Sequence, residues 1–178
     1  YIMAGLASKP DIKALNFDPL HLEFVIDKLK EMGANIEVLS NGVQLKPSHL
    51  KSINIETAPY PGFPTDAQAQ LVSLSLICEG TTIVKENIFE NRFMHVPELV
   101  RMGAKISVSG NTAIVEGGTP LKGAPVMCTD LRASAALIIA ALCAEGETVI
   151  DRIYHLERGY ENLSAKFEKL GAQVTIVD

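Results

Sequence analysis

The sequence repeats itself at an interval of about 70 residues, and an internal repeat constrains a fold more than any single motif. Three helix-to-strand segments read alike, and their glycines, Gly33, Gly103 and Gly171, lie 70 and 68 positions apart. A second landmark, a Glu-Gly pair, occurs twice, and its glycines, Gly80 and Gly146, lie 66 residues apart. Because two landmarks recur in the same order, we infer repeated structural units.

The middle unit shows the predicted βαβαββ-like content most completely. A first helix over residues 66–79 is predicted to end at Gly80, since glycine adopts the left-handed conformation after a helix without penalty. A strand over residues 81–86 follows. Pro97 lies early in a second helix, where its missing N–H costs least, and Gly103 ends that helix.

Hairpins are predicted to follow the second helices of the first two units. Short β-branched segments on either side of an Asn or Gly turn are typical of two antiparallel strands. The predicted strands are 36–39 and 43–45 around Asn41-Gly42, and 106–108 and 112–115 around Gly110-Asn111.

We infer three units, the first lacking its opening strand and half a helix. Aligning Phe17 with Phe89 places Tyr1 midway along a helix, so we expect the chain to begin inside a longer gene product. The units are predicted to surround a pseudo-threefold axis with apolar helices inside and sheets outside. A linear solenoid of the same units is the alternative. The approximate unit bounds are 1–50, 51–118 and 119–178.

Charge and hydropathy exclude two classes of partner. The 16 Lys and Arg against 21 Asp and Glu give a net charge of −5, the wrong sign for a surface that follows a phosphate backbone, so no nucleic acid is expected. The longest largely apolar run, residues 133–144, is shorter than the roughly 20 residues of a membrane-spanning helix. It predicts a buried helix and no membrane partner.

The cysteines and two of the histidines show no metal-ligand spacing. Cys78, Cys128 and Cys143 are far apart and form no CxxC pair, which favours reduced thiols in a core over disulfides or metal ligands. His49 and His95 are interpreted as surface or packing residues. No metal site is predicted.

Charged residues recur near the predicted helix starts. Asp66 and Arg132 each lie 14 positions before the glycine that ends the first helix of their unit, so they occupy equivalent places. Asp66 and Asp130 both follow a threonine, and Thr-Asp pairs of this kind cap helix N-termini. Arg92 and Arg158 stand near the start of the second helices.

If the units circle one axis, equivalent helix ends meet on one face. That face would carry three arginines, one or two aspartates and several positive helix N-termini, which favours a polyanionic ligand. Two alternatives stay open. Asp66 and Asp130 could be plain N-caps. The arginines could be solvated or paired locally, the candidate pairs being Arg92, Arg132 and Arg158 with Glu90, Asp130 and Glu157.

Four segments, in this order along the chain, resemble UDP-N-acetylglucosamine 1-carboxyvinyltransferases, a family of bacterial enolpyruvyl transferases. One such motif would be weak, but four that span most of the chain are specific. They favour this family over its shikimate-pathway relatives. The segments are residues 61–70 (PGFPTDAQAQ), 90–99 (ENRFMHVPEL), 129–134 (TDLRAS) and 157–161 (ERGYE).

The resemblance implies a two-domain cytoplasmic enzyme of peptidoglycan synthesis, with the active site between the domains. Each domain is expected to be an inside-out α/β barrel of three repeated units, and residues 1–178 are expected to form the C-terminal one. The implied reaction is attack of the 3′-hydroxyl of UDP-N-acetylglucosamine on C2 of phosphoenolpyruvate, followed by loss of phosphate. No metal or organic cofactor is implied.

The resemblance also implies roles for individual residues. Asp66 resembles the carboxylate that binds the sugar 3′-hydroxyl and takes its proton, and Asp130 resembles a carboxylate that shares in proton handling. Ile88 resembles a position whose backbone contacts the sugar nucleotide. Asp66, Asp130 and Arg158 are the predicted catalytic residues. The arginines that resemble those facing the carboxylate and phosphate of phosphoenolpyruvate are Arg92, Arg132 and Arg158.

The sequence departs from the whole family in one large respect. The family's proton-donating cysteine loop lies in the N-terminal domain, with a phosphate-binding lysine and arginine, and none of the three cysteines here matches that loop. We therefore expect this chain to hold half a site, to need the N-terminal domain as partner, and to be inactive alone. A non-catalytic sugar-nucleotide-binding module and a structural repeat domain are the alternatives.

Overall fold

The structure is a computed structural model that describes residues 1–8 and 11–177. Two 3₁₀ turns lie at Pro19–Leu22 and Thr65–Ala67. The helices are α1 (Ile2–Ser8), α2 (Glu23–Glu31), α3 (Gln68–Ser75), α4 (Val96–Arg101), α5 (Leu131–Ala141), α6 (Tyr154–Glu157) and α7 (Leu163–Lys169). The strands are β1 (Ile12–Leu15), β2 (Asn35–Leu39), β3 (Gly42–Lys46), β4 (Asn54–Glu56), β5 (Thr81–Lys85), β6 (Lys105–Ser109), β7 (Thr112–Glu116), β8 (Pro125–Met127) and β9 (Val149–Asp151).

The described strands form three separate sheets. The first has the order β1-β3-β2 and is antiparallel throughout. The second has the order β4-β5-β7-β6, in which β4 runs parallel to β5 and the other pairs are antiparallel. The third is the parallel pair β8-β9. No strand pairing among the described residues joins these sheets into one closed barrel.

The first helix of each unit lies inside the molecule. The helices α1, α3 and α5 all contact one another. Buried side chains surround α3 and most of α5, as expected for helices enclosed by protein on every side. A linear solenoid would keep α1 and α5 apart, so that alternative is wrong. The predicted arrangement, with apolar helices inside and sheets outside, is confirmed.

The glycine landmarks adopt the conformation that the sequence predicts. All five have φ between +86° and +95°, where a side chain would be strained: Gly33, Gly80, Gly103, Gly146 and Gly171. The first predicted hairpin is shifted by one residue, because Leu39 pairs with Gly42 and Gly42 belongs to β3. A Cβ atom at Gly42 would collide with the carbonyl oxygen of Ala14 on β1.

Two predicted helices differ from the observed ones. The first helix of the middle unit ends as α-helix at Ser75, and its last residues make tighter i→i−3 bonds before Gly80. The second helix of the third unit is divided into α6 and α7. Gly159 disfavours a continuous helix, and Asn162 has a left-handed φ of +47° just before α7.

The third unit also lacks the predicted final strand. Residues 172–177, which follow Gly171 in the third helix-to-strand segment, form no strand. Within the described part of the chain, no helix is both long enough and apolar enough to span a membrane.

Candidate active site

One carboxylate joins two of the predicted arginines. Asp66 Oδ1 lies 2.6 Å from Arg132 Nε and 3.4 Å from Arg92 Nη2. Arg132 lies in the first turn of α5, whereas Arg92 lies in the turn before α4, so the contacts link the second and third units. Within residues 1–8 and 11–177, Asp66 Oδ2 has no hydrogen-bond partner. One oxygen therefore holds the arginines while the other can accept a further proton donor.

The segment before Asp66 fixes the position of its backbone. Phe63 is 1% exposed, and its carbonyl oxygen accepts a hydrogen bond from the amide of Ala58 at 3.0 Å. The amide of Gly62 donates to the carbonyl of Pro59 at 2.7 Å. The side chain of Asp66 remains 66% exposed and makes no capping bond to α3. Asp66 is therefore not the N-cap that the first alternative described.

Arg92 is held over an aromatic ring. Its Cζ atom lies 4.6 Å from the centroid of the Phe89 ring, and its side chain is 18% exposed. A cation above an aromatic face is stabilised by the ring quadrupole. Asn91 has a left-handed φ of +54°, a conformation that asparagine tolerates better than most residues, and this turn leads the chain into Arg92.

Asp130 caps α5. Its Oδ1 atom accepts hydrogen bonds from the amides of Arg132 at 2.8 Å and Ala133 at 3.0 Å. The capping alternative therefore holds for Asp130, which fixes the first turn of the helix that carries Arg132. The pairing of Arg132 with Asp130 through side chains is wrong, because the guanidinium of Arg132 binds Asp66 instead.

Arg158 lies outside this cluster. It directly follows α6 and is exposed, and among the described residues it forms no ion pair, so its proposed pairing with Glu157 is absent. The next residue, Gly159, packs against Leu131, because a Cβ atom there would lie 3.0 Å from both methyl carbons of Leu131. The backbone next to Arg158 therefore packs against the N-terminal end of α5, the end that carries Arg132.

Ile88 belongs to a loop that a buried carboxylate organises. Glu86 is 3% exposed and accepts hydrogen bonds from the amides of Ile88 at 2.8 Å and Phe89 at 3.1 Å. The hydroxyls of Thr57 and Thr65 also donate to it. Sequence reasoning missed Glu86, because glutamate after a strand is normally exposed and no local pattern marked this one as buried.

Burial shifts the pKa values of one histidine and two cysteines in the described part of the chain. Burial lowers the pKa of His95 to about 4, while the charge of Asp130 opposes that shift. His95 is therefore neutral near pH 7 and serves as a packing residue at the start of α4. Burial raises the pKa of the Cys78 thiol to about 12 and also raises the pKa of Cys128. Neither thiol is a ready nucleophile, and the cysteines form no disulfide.

The arrangement can bind anions and accept a proton. Two guanidinium groups next to one partly free carboxylate offer paired hydrogen bonds to carboxylate or phosphate oxygens. The carboxylate offers an acceptor to a hydroxyl group at the same place. This combination suits transfer of an anionic group to an alcohol.

The chain belongs to the EPSP synthase (3-phosphoshikimate 1-carboxyvinyltransferase) family, whose sequence model matches residues 1–167. Over 176 residues it is 52% identical to a protein described as UDP-N-acetylglucosamine 1-carboxyvinyltransferase from Shewanella baltica strain OS155. That similarity covers 98% of this chain and 42% of the relative, so the chain spans less than half of the curated proteins it matches.

Solved structures share the fold. The enolpyruvyl transferase NikO from Streptomyces tendae matches 97% of this chain with a TM-score of 0.85 and 30% identity, again over 42% of its own length. An EPSP synthase from Acinetobacter baumannii matches 94% of this chain with a TM-score of 0.74 at 20% identity, which shows the fold alone. The inside-out α/β interpretation agrees with both.

Proposed function

We propose that this chain is the C-terminal domain of a two-domain enolpyruvyl transferase that acts on phosphoenolpyruvate and UDP-N-acetylglucosamine. The observation that carries the proposal is the Asp66 carboxylate, bound through one oxygen to Arg92 and Arg132 and open at the other. The name of the Shewanella baltica relative, a UDP-N-acetylglucosamine 1-carboxyvinyltransferase, supports the choice of acceptor. The arginines suit a donor that carries both a carboxylate and a phosphate.

In the proposed mechanism, Asp66 Oδ2 accepts a hydrogen bond from the sugar 3′-hydroxyl and takes its proton as the oxygen attacks C2 of phosphoenolpyruvate. A group outside this chain protonates C3, which gives a tetrahedral phosphoketal. The C2–phosphate bond then breaks, C3 loses a proton, and inorganic phosphate leaves. Arg92, Arg132 and Arg158 bind the two anionic groups, and the backbone at Ile88 contacts the sugar nucleotide.

Asp130 acts in this proposal both as the cap of α5 and as a carboxylate near the reacting carbon. The other face of the site belongs to an N-terminal domain that supplies the proton donor for C3 and further phosphate-binding groups. The proposed setting is the cytoplasm, in the first committed step of peptidoglycan synthesis, with no metal or organic cofactor. Activity of the chain by itself is not expected.

The test is phosphate release by the full-length protein with phosphoenolpyruvate and one of two acceptors, UDP-N-acetylglucosamine or shikimate 3-phosphate. Turnover with the sugar nucleotide alone supports the proposal. Turnover only with shikimate 3-phosphate would assign the chain to the other activity of its family. Binding of the sugar nucleotide without turnover would favour the non-catalytic module, and release of phosphate by residues 1–178 alone would show that the site is complete here.

A further inference from the structure

We propose that Glu86 is a positioning residue that sets the geometry between Asp66 and Arg92. This inference rests on the proposed function, because it assigns Glu86 a role in the same site. Glu86 lies directly after β5 and is 3% exposed, so it is enclosed by protein and acts on the site through its neighbours.

The two oxygens of Glu86 together bind three segments of the chain. Oε1 accepts hydrogen bonds from the amides of Ile88 and Phe89 and from the hydroxyl of Thr57 at 2.8 Å. Oε2 accepts a hydrogen bond from the hydroxyl of Thr65 at 2.9 Å. Four donors on one side chain match the acceptor capacity of a carboxylate.

Each oxygen of Glu86 binds a residue next to one of the two side chains in the Asp66–Arg92 contact. Through Oε2, Glu86 holds Thr65, the residue immediately before Asp66 in the 3₁₀ turn. Through Oε1, it holds the amide of Phe89, whose ring supports the guanidinium of Arg92. One rigid planar group therefore fixes both the carboxylate that accepts the proton and an arginine that binds the anion.

Among the described residues, Glu86 is the one side chain that accepts hydrogen bonds from the amides of Ile88 and Phe89. Thr57 also accepts a hydrogen bond from the amide of Asn87 at 2.8 Å, so its hydroxyl extends the same network. Without Glu86, the amides of Ile88 and Phe89 would lose their acceptor in a partly buried place, which costs the loop its defined conformation. A shift of about 1 Å in a catalytic group is enough to lower a rate strongly.

The test uses three changes in the full-length protein: Thr65→Val, Thr65→Ser and Glu116→Gln. Thr65→Val keeps the side-chain shape and removes only the hydroxyl that binds Glu86, whereas Thr65→Ser retains it. Glu116 is an exposed carboxylate at the end of β7 in the same sheet and serves as the matched control. We expect Thr65→Val to lower kcat by about tenfold, the effect of losing one hydrogen bond to a charged group.

The expected pattern separates positioning from general stability. Thr65→Val should lower the thermal midpoint by a few degrees, because Glu86 Oε2 loses a donor, but the protein should stay folded at the assay temperature. The KM for phosphoenolpyruvate should stay near the original value, since the hydrogen bond from Phe89 to Glu86 is intact. Thr65→Ser should restore kcat, and Glu116→Gln should leave it unchanged. Equal kcat for Thr65→Val and the original protein would overturn the inference.

A second readout does not depend on turnover. The Arg132 Nε–H group donates to Asp66 at 2.6 Å, so its NMR resonance reports where Asp66 lies. This resonance should move in Thr65→Val and stay in Thr65→Ser and Glu116→Gln. If the original protein shows no turnover with either acceptor, the proposed function fails. An unmoved resonance in Thr65→Val would then reject the role of Glu86 separately.

Discussion

The middle and third units each place a predicted arginine before or within a second helix, but they hold it differently. In the middle unit, Arg92 rests on Phe89, contacts Asp66 and is mostly buried. In the third unit, Arg158 lies between two short helices, is exposed and has no ion pair among the described residues. The arginine side chain is thus held by an ion pair and a ring contact in the middle unit, whereas the described residues give Arg158 no ion pair in the third.

This difference indicates how the two arginines would work. Arg92 is preorganised, so a ligand that binds it requires little ordering of the side chain. Arg158 is exposed, so ordering its side chain on a ligand would cost conformational entropy. The predictions below test this contrast between the units.

The largest expected effect is at Asp66. Asp66→Asn in the full-length protein keeps the shape of the side chain but cannot take the proton, so kcat should fall by about 10²- to 10⁴-fold. Steady-state phosphate release and the thermal midpoint are the measurements. A variant with more than about half of the original rate and an unchanged midpoint would remove Asp66 from the mechanism.

His95 of the middle unit should make the free energy of unfolding depend on pH. Burial lowers the pKa of His95 to about 4 in the folded state, whereas a histidine in the unfolded state has a pKa of about 6.5. As the pH falls below about 6.5, the unfolded state therefore binds a proton that the folded state does not bind. Stability is therefore retained above this pH and lost towards pH 4.

The measurement is urea unfolding near pH 7 and near pH 5, where the effect should reach about 2 kcal/mol. His95→Leu should weaken this pH dependence, and His155→Leu serves as the control. An equal pH dependence in both variants would mean that His95 is not the group responsible.

Lysine substitutions test whether Arg158 acts only with ligand present. Arg158→Lys keeps the charge but loses the paired geometry, so kcat/KM for phosphoenolpyruvate should fall by about tenfold while the ligand-free thermal midpoint stays the same. Arg92→Lys should lower both, since it also loses the contact with Phe89.

Arg101 is the control for this series. Its side chain is 60% exposed at the end of α4, and it forms an ion pair with Glu98 at 3.5 Å. Arg101→Lys should behave like the original protein in both measurements. If Arg158→Lys matched it, Arg158 would be a surface charge, and the contrast between the units would have no functional meaning.

The sequence predicted those parts of the fold that follow local rules or the repeat. A glycine after a helix requires a left-handed φ wherever it stands, so Gly80 and Gly103 could be assigned without a structure. The arrangement of the units around one axis predicted that Asp66 and Arg132 lie on the same face. In the structure, Arg132 Nε lies 2.6 Å from Asp66 Oδ1. Their catalytic roles remain predictions.

Other features depend on tertiary contacts that no spacing rule contains. Glu86 can be buried because four donors from three segments meet at its position, and no sequence pattern in one of those segments identifies the others. Gly159, between α6 and α7, lies against Leu131 of α5, a contact that the local sequence around Gly159 does not reveal. The two aspartates looked alike as caps, although only Asp130 binds the amides of its helix.

The smallest expected effect separates these two aspartates. Asp130→Ala should lower the free energy of unfolding by about 1 kcal/mol, because α5 loses the acceptor for two amides, whereas Asp66→Ala removes no cap and should change it less. Asp130→Asn should restore most of the stability, since asparagine caps helices about as well as aspartate. Urea unfolding of the three variants near pH 7 measures these differences. The activity of Asp130→Asn then decides its second role: a stable variant with the original kcat would leave Asp130 as a cap alone, whereas a stable variant with a lowered kcat would support its part in proton handling.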